Sequence, residues 1–268
     1  MRSPCAWYRH WRLKHHSIPA ADWDNVTTRL PYSQALAPKE RQRLRELVIH
    51  FLLQKKFEGA VGLIVTDQMR LWVALQACVL ILNLGLKYYA GWTTVILYPG
   101  DFRVHRRHSE GLSETPWGHD SLTLVHEAED ELSGESWPRG PLILSWQAAN
   151  TVSTTQNVVL HEFAHKIDML NGDADGFPPL LAGMSSERWA HDFETGYQDL
   201  CDALDNSRPV DIDAYAAESP AEFFAVLSET FFIDPWLVYR DFPKLYQQLV
   251  EFYRQDPCAL LAMCKNRE

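Results

Sequence analysis

Two histidines and a glutamate stand close together in the segment His161-Glu162-Phe163-Ala164-His165. On a helix, residues four apart lie one turn above each other on one face, so His161 and His165 could bind one tetrahedral metal ion. Glu162 lies at the edge of that face, where its carboxylate could accept a proton from a water that the metal activates. The pattern predicts a hydrolytic zinc site. Its competing interpretation is chance, in a chain with 11 histidines.

A helix from about 154 to 171 is predicted to carry these residues. Ser153 and Gln156 are suited to a capping box at its start, and Gly172 is suited to end it. A separate apolar stripe can anchor this helix in the core, and its members are Leu160, Phe163, Ile167 and Leu170. This amphipathic pattern favours a metal site over chance.

A catalytic zinc needs a third protein ligand, and spacing alone leaves its identity open. Asp168 and Asn171 occupy the places where one common continuation of the motif has Gly and His. Candidates farther along the chain are Glu187, His191, Glu194, Glu218, Glu222 and Glu229. Glu222 opens a strongly apolar helix, but residues 219–222 also form a capping box with Pro in the first turn. Ligand and cap are equal alternatives for Glu222.

Other polar residues near the motif have two interpretations each. Asp168 could orient a ligand imidazole or simply lie on the helix surface. Glu229 stands seven residues after Glu222, on the same helical face, so it could support the site or only pair at the surface. Three further histidines are expected at the surface, and they are His105, His108 and His191.

The composition excludes several classes of protein. The chain has 268 residues, of which 46% are hydrophobic, and its net charge of −10 comes without a basic stripe, which argues against nucleic-acid binding. Its 5 cysteines are scattered, which indicates reduced thiols and the cytoplasm. No signal peptide is recognisable, and the apolar stretch from Leu71 to Leu86 contains Gln76 and Asn83, so a buried helix is predicted there and no membrane span.

The periodicity of apolar residues predicts an α+β fold that is mostly helical. Further helices are expected over about 37–57, 67–86 and 219–233, and a pair of helices over about 236–255. Short β-branched runs predict strands at 93–98, 122–129 and 142–146, joined in a small mixed or antiparallel sheet. Residues 1–24 fit no periodic pattern and are expected to form a mobile arm, with a single domain over 25–268.

Several segments resemble one known family. They are residues 157–172, residues 211–217 followed by Pro220-Ala221-Glu222, and the shorter segments 51–56, 95–99, 140–146 and 252–257. Together they resemble the Mlc titration factor A family of bacterial zinc peptidases over about residues 28–260. Residues 1–24 and 103–135 match that family poorly.

The resemblance implies a zincin-like fold with one Zn²⁺ per chain and Glu222 as the third ligand, which makes the protein a gluzincin. The family is similar in fold to the catalytic domain of anthrax lethal factor, where a catalytic tyrosine stands seven residues before the glutamate ligand. Tyr215 stands seven residues before Glu222. The resemblance therefore suggests Tyr215 as the donor to the developing oxyanion.

Three functions follow from these residues and this resemblance. The first is a cytoplasmic zinc-dependent peptidase with peptide substrates, acting as an aminopeptidase, with a regulatory role through an Mlc-like transcriptional repressor as protein partner. The second is a non-catalytic protein that sequesters such a repressor and keeps a vestigial zinc site. The third is a zinc hydrolase that does not act on peptides.

Overall fold

The structure is a computed structural model that describes residues 17–100, 140–151, 153 and 155–265. The α-helices are α1 (Ala20–Thr28), α2 (Pro31–Ala35), α3 (Pro38–Gln54), α4 (Asp67–Leu80), α5 (Trp146–Asn150), α6 (Val158–Asp168), α7 (Ser186–Asp205), α8 (Pro220–Ile233), α9 (Pro235–Asp241), α10 (Pro243–Tyr253) and α11 (Pro257–Lys265). Short 3-10 helices cover Leu86–Tyr89, Met169–Asn171 and Ala214–Ala217. The strands are β1 (Lys56–Gly59), β2 (Thr94–Tyr98) and β3 (Leu142–Ser145). The predicted mostly helical α+β class is confirmed.

The described strands form one sheet in the order β1-β2-β3, and both pairs are parallel. Val95 of β2 lies opposite Phe57 of β1 and Leu142 of β3. The sequence predicted a mixed or an antiparallel sheet, and the antiparallel alternative is wrong for the described strands. Parallel neighbours need a long crossover, and α4 lies in the connection from β1 to β2. The strand predicted at 122–129 lies outside the described residues.

The sequence pattern predicts a helix that continues to residue 57. In the structure that helix, α3, ends at Gln54, and strand β1 begins at Lys56. Lys55, just after α3, has extended backbone angles of φ −103° and ψ 139°. Its ammonium group donates to the carbonyl oxygens of Tyr89 and Trp92 at 2.5 and 2.6 Å. This tertiary contact holds the chain extended, so the helix ends at Gln54.

Helix α4 confirms the buried helix that the apolar stretch predicted. Every residue from Met69 to Leu80 is buried except Arg70, and Gln76 is among the buried ones. The helix ends at Leu80, earlier than the expected residue 86, and turns follow it. Within the described ranges, no helix combines the length and the apolar composition that crossing a membrane requires.

An aromatic cluster holds the middle of α6 in the core. The ring of Phe163 lies 5.7 Å from Phe51 of α3, 5.1 Å from Tyr89 and 5.8 Å from Trp92, measured between centroids. All four side chains are buried. Truncating such a ring costs about 3–5 kcal/mol, so this cluster fixes the helix that carries the histidines.

Helix α8 packs against α6 and is buried along almost its whole length, from Ala221 to Phe232. Both helices belong to a core that also includes Trp23 of α1. The arm predicted over 1–24 therefore does not extend through α1, because that helix is packed into the fold. Residues 1–16 lie outside the described residues.

Candidate metal centre

Helix α6 begins after Asn157, whose side-chain oxygen accepts the backbone N–H of Leu160 at 3.0 Å. Such a cap satisfies one of the backbone donors that a helix start leaves open. The sequence predicted a start near 154 with Ser153 and Gln156 as capping box. Instead Ser153 Oγ accepts the backbone N–H of Gln156 at 3.2 Å, in a turn that precedes the helix. The predicted cap is therefore wrong, and the helix starts later.

The polar face of α6 is buried together with its apolar face. The exposed fractions of His161, Glu162 and His165 are only 3%, 4% and 4%. Gly172 follows the helix and its 3-10 extension with φ 152°, which confirms the predicted stop. Burying charged groups is costly unless they have partners, so the side chains of this polar face need partners inside the fold.

Three side-chain atoms from α6 and α8 converge at one point. His161 Nε2 lies 3.0 Å from Glu222 Oε2, and His165 Nε2 lies 3.2 Å from the same oxygen. The two ring nitrogens are 3.2 Å apart. Within the part of the chain that the structure describes, these three residues are the one group of potential metal ligands.

The spacing of these atoms fits a tetrahedral zinc ion. Zinc–ligand distances of about 2.0–2.1 Å and tetrahedral angles place ligand atoms about 3.3 Å apart. The separations of 3.0–3.2 Å lie close to that value. Two imidazole nitrogens cannot direct lone pairs at each other without repulsion, whereas both can direct them at a cation. Two histidines with one glutamate are also a known donor set of catalytic zinc sites, with a fourth position open.

Glu222 reconciles the two interpretations that the sequence left open. Its backbone N–H donates to Ser219 Oγ at 3.2 Å, so Ser219 caps helix α8 through the main chain of Glu222. Its carboxylate instead lies against His161 and His165. The cap and the contact with the histidines therefore involve different atoms of the same residue.

Glu229, two turns farther along α8, supports His161 from behind. Its exposed fraction is 6%, and its Oε2 lies 3.2 Å from His161 Nδ1. Its Oε1 accepts the backbone N–H of Asn157. A partner of this kind fixes the orientation of a ligand imidazole. The structure thus favours the supporting role over a surface role for Glu229.

These contacts shift the pKa values of the cluster. Burial lowers the pKa of His161, but its bonds to Glu222 and Glu229 outweigh burial and raise it to about 10. Burial raises the pKa of Glu222, but the two histidines outweigh burial and hold it well below its usual range. The centre therefore favours a positive charge between its carboxylates. A metal ion supplies that charge in exchange for the proton.

Glu162 lies beside the converging atoms without taking part in the contacts between them. Its Oε2 is buried and has no hydrogen-bond partner among the described residues. A buried carboxylate oxygen without a donor is unusual, because it loses its hydration without compensation. It is available to accept a proton from a reactant next to the centre.

Tyr215 lies on the 3-10 helix Ala214–Ala217, at the margin of the centre. Its ring centroid is 6.1 Å from that of His161, and the two planes are inclined by 42°. The side chain is half-buried. The structure thus brings Tyr215 next to His161, one of the three converging side chains.

The other candidates lie away from the converging atoms. Glu187, His191 and Glu194 are exposed on α7, and Glu218 is exposed just before α8. Among the described residues none of them joins the group of potential ligands. The histidines at 105 and 108 lie outside the described residues.

Asp168 is fully buried, so the surface interpretation is wrong for it. Its Oδ2 accepts the backbone N–H of Gly176 at 2.8 Å, which ties the loop after α6 to the helix. Gly176 itself is at φ +80°, and a Cβ there would lie 2.6 Å from the carbonyl oxygen of Pro220. The Asp168 contact thus joins the end of α6 to the start of α8.

Sequence reasoning missed one supporting residue, Gln76 of α4. Its Oε1 accepts from Asn157 Nδ2 at 2.8 Å, and its own amide donates to the carbonyl of Trp72 at 3.2 Å. Gln76 thereby orients the residue that caps α6. The available signal was the one amide in the apolar run from Leu71 to Leu80.

The chain is similar to known proteins along almost its whole length. The family model described as glucose-regulated metallo-peptidase M90 matches residues 5–254. The Mlc titration factor A of Serratia proteamaculans is 37% identical over 260 residues, which are 94% of this chain and 94% of that protein. The Mlc titration factor A of Yersinia pestis is 38% identical over 250 residues, covering 92% of this chain and 88% of the relative. An uncharacterised Synechocystis protein is 36% identical over 262 residues, with 93% and 91% covered. The chain belongs to the glucose-regulated metallo-peptidase M90 family.

Proposed function

We propose that this protein is a zinc-dependent peptidase whose metal ligands are His161, His165 and Glu222. The observation that carries the proposal is the convergence of their three donor atoms within 3.2 Å of one another. Beside them lies the buried, unpartnered carboxylate oxygen of Glu162. Membership of a metallopeptidase family supports peptide bonds as the target. Two histidines and a glutamate make the site a gluzincin site.

The residues around the centre divide the work of hydrolysis. When bound, zinc acts as a Lewis acid on the scissile carbonyl and lowers the pKa of water. Glu162 Oε2 accepts the proton of the attacking water and then gives it to the leaving amine. Glu229 keeps the ring of His161 oriented through Nδ1. The hydroxyl of Tyr215 donates a hydrogen bond to the oxygen that gains negative charge.

The narrower parts of the proposal rest on the resemblance described above. We propose that the substrates are short peptides, that the protein acts as an aminopeptidase, and that it works in the cytoplasm. A panel of amino-acid and peptide chromogenic substrates, with free and blocked amino termini, tests the first two points. Hydrolysis of blocked peptides alone would contradict aminopeptidase action and leave peptidase action intact.

Metal analysis tests the ligand set directly. The purified wild type should carry about one zinc per chain, and the double variant His161→Ala/His165→Ala should carry none, because Glu222 alone cannot hold a catalytic metal. His191→Ala is the matched control, since that histidine is exposed on α7. Stoichiometric zinc in the double variant would show that the site is elsewhere.

A second candidate function is binding of an Mlc-like transcriptional repressor. The observation that favours it is the name Mlc titration factor A, which relatives 37% and 38% identical to this chain carry. Calorimetry with a purified repressor of that type should detect binding by the wild type and by Glu162→Gln alike. Binding by a wild type that hydrolyses no peptide would favour the non-catalytic alternative. Absence of binding would remove the second function.

A further inference from the structure

The turn that carries Tyr215 is the 3-10 helix Ala214–Ala217, and it is held by buried residues and by a hydrogen bond at its C-terminal end. Ile212, just before the turn, is 5% exposed, and Ala216 within it is fully buried. The hydroxyl of Tyr197 on α7 donates to the carbonyl oxygen of Ala217 at 2.9 Å. These contacts hold the main chain of the turn against the core.

The carboxylate of Asp213 caps the N-terminal end of the 3-10 helix Ala214–Ala217. Its Oδ1 accepts the backbone N–H of Tyr215 at 3.0 Å. Its Oδ2 accepts from the side-chain amide of Gln156 at 2.8 Å, across 57 positions of sequence. Asp213 therefore joins the turn of Tyr215 to the segment that leads into α6.

The segment that leads into α6 also contacts Glu229, the residue that orients the proposed ligand His161. Asn157 follows Gln156 directly, and its backbone N–H donates to Glu229 Oε1. The other oxygen of Glu229 lies 3.2 Å from His161 Nδ1. Two adjacent residues thus connect the turn of Tyr215 on one side and the orientation of His161 on the other.

We propose that Gln156 and Asp213 are positioning residues that hold the Tyr215 hydroxyl at the metal centre. This proposal rests on the proposed function, in which that hydroxyl stabilises the developing oxyanion. Both side chains are exposed, so their hydrogen bond adds little to overall stability. Its effect is geometric, because displacing a reacting group by about 1 Å can cost up to about 100-fold in rate.

A double-mutant cycle with Tyr215→Phe tests the proposal. Gln156→Ala should lower kcat about three- to tenfold, with zinc content unchanged and KM altered less than about twofold. The same change made in the Tyr215→Phe background should have no further effect, because the hydroxyl it positions is gone. Gln156→Lys keeps a donor for Asp213 and should retain most of the wild-type kcat.

A readout independent of activity accompanies the cycle. Hydrogen–deuterium exchange of residues 213–218 should accelerate about three- to tenfold in Gln156→Ala, in zinc-loaded and zinc-free protein alike. Gln198→Ala is the matched control, since that exposed glutamine donates to Glu194, one turn away on α7.

Two results would overturn the proposal, and a third concerns only the proposed function. An equal loss of kcat in both backgrounds would show that Gln156 does not act through Tyr215. Unchanged exchange of residues 213–218 in Gln156→Ala would show that the contact does not hold the turn. A wild type that hydrolyses no peptide would reject the proposed function, and the exchange measurement would still decide whether Gln156 holds the turn.

Discussion

The fold buries charged side chains in two neighbouring regions, and it satisfies them in different ways. In the first region, Lys55 is 5% exposed, and its ammonium group donates to the carbonyl oxygens of Tyr89 and Trp92. It also lies 3.5 Å from the centroid of the Trp92 ring, a cation–π contact. Burial, with a smaller contribution from Lys166, lowers the pKa of Lys55 to about 8. Two main-chain carbonyl oxygens and one aromatic ring are thus the partners of the Lys55 ammonium group.

In the second region, the metal centre, the partners of the buried charged groups are other side chains. One carboxylate oxygen there has no hydrogen-bond partner among the described residues. His161, His165 and Glu222 face one another, and Glu162 keeps a buried oxygen without a partner among the described residues. The partners of Lys55 are main-chain groups, so its ammonium group serves to join the end of α3 to the segment that carries Tyr89 and Trp92. A buried charge with unused hydrogen-bonding capacity beside a ligand set indicates chemistry. This contrast predicts which substitutions change activity and which change stability.

The largest effect is expected from Glu162→Gln. The amide cannot accept the proton of the attacking water, so kcat should fall about 10²–10⁴-fold. Fold and zinc content should stay as in the wild type, because Glu162 is outside the ligand set. Near-normal turnover in a variant that binds zinc would break the assignment of chemistry to this oxygen.

Lys55→Met should have the opposite profile. It removes the donor from two buried carbonyl oxygens and keeps a side chain of similar length, so the free energy of unfolding should fall by about 2–4 kcal/mol. Zinc per folded chain and kcat per folded chain should be unchanged. Urea denaturation and single-point assays below the midpoint measure both. A stable but inactive variant would show that Lys55 belongs to the catalytic region.

Glu229→Gln tests whether the buried charge of Glu229 supports the metal centre or only the fold. The amide keeps an oxygen for the backbone N–H of Asn157 but loses the charge next to His161. Zinc affinity should fall about 10–100-fold with the fold intact, as for other partners of metal-bound imidazoles. Competition with a chelator of known affinity measures the change. Unaltered affinity would place Glu229 among the purely structural charges.

The smallest effect concerns Asp168 and pH. Burial raises the pKa of Asp168 to about 6, more than the N–H of Gly176 lowers it, against an unfolded value of 3.8. The unfolded state therefore ionises first, and the free energy of unfolding should fall as pH rises from about 4 to about 6.

Asp168→Asn retains an oxygen for the backbone N–H of Gly176. It should remove this pH-dependent fall in the free energy of unfolding, which is on the order of 2 kcal/mol. Denaturation of zinc-free protein at pH 4 and pH 7 gives the comparison with the wild type. An identical pH dependence in the two proteins would contradict the assignment to Asp168.

The sequence predicted the features that depend on local chemistry. The spacing of the two histidines, the stop at Gly172 and the start of α8 at Pro220 follow from helix periodicity and capping, and the structure agrees with each. It also brings together the residues that the motif and the resemblance had singled out.

Features that depend on tertiary contacts could not be predicted in the same way. The parallel direction of the sheet depends on where the crossovers lie. Strand β1 was missed because Lys55 is held extended by distant carbonyls. The roles of Gln76 and Asp168 depend on which helix and loop pack beside them, information that no local pattern contains.

The zinc content of Glu222→Gln tests the central claim most directly. As a ligand, the Glu222 carboxylate is needed for the metal, whereas the cap of α8 uses the backbone N–H and survives the substitution. The variant, purified without added metal and analysed by elemental mass spectrometry, should be folded and contain little zinc, and Glu218→Gln, the matched control, should contain about one per chain. Full zinc occupancy in Glu222→Gln would contradict the assigned ligand set.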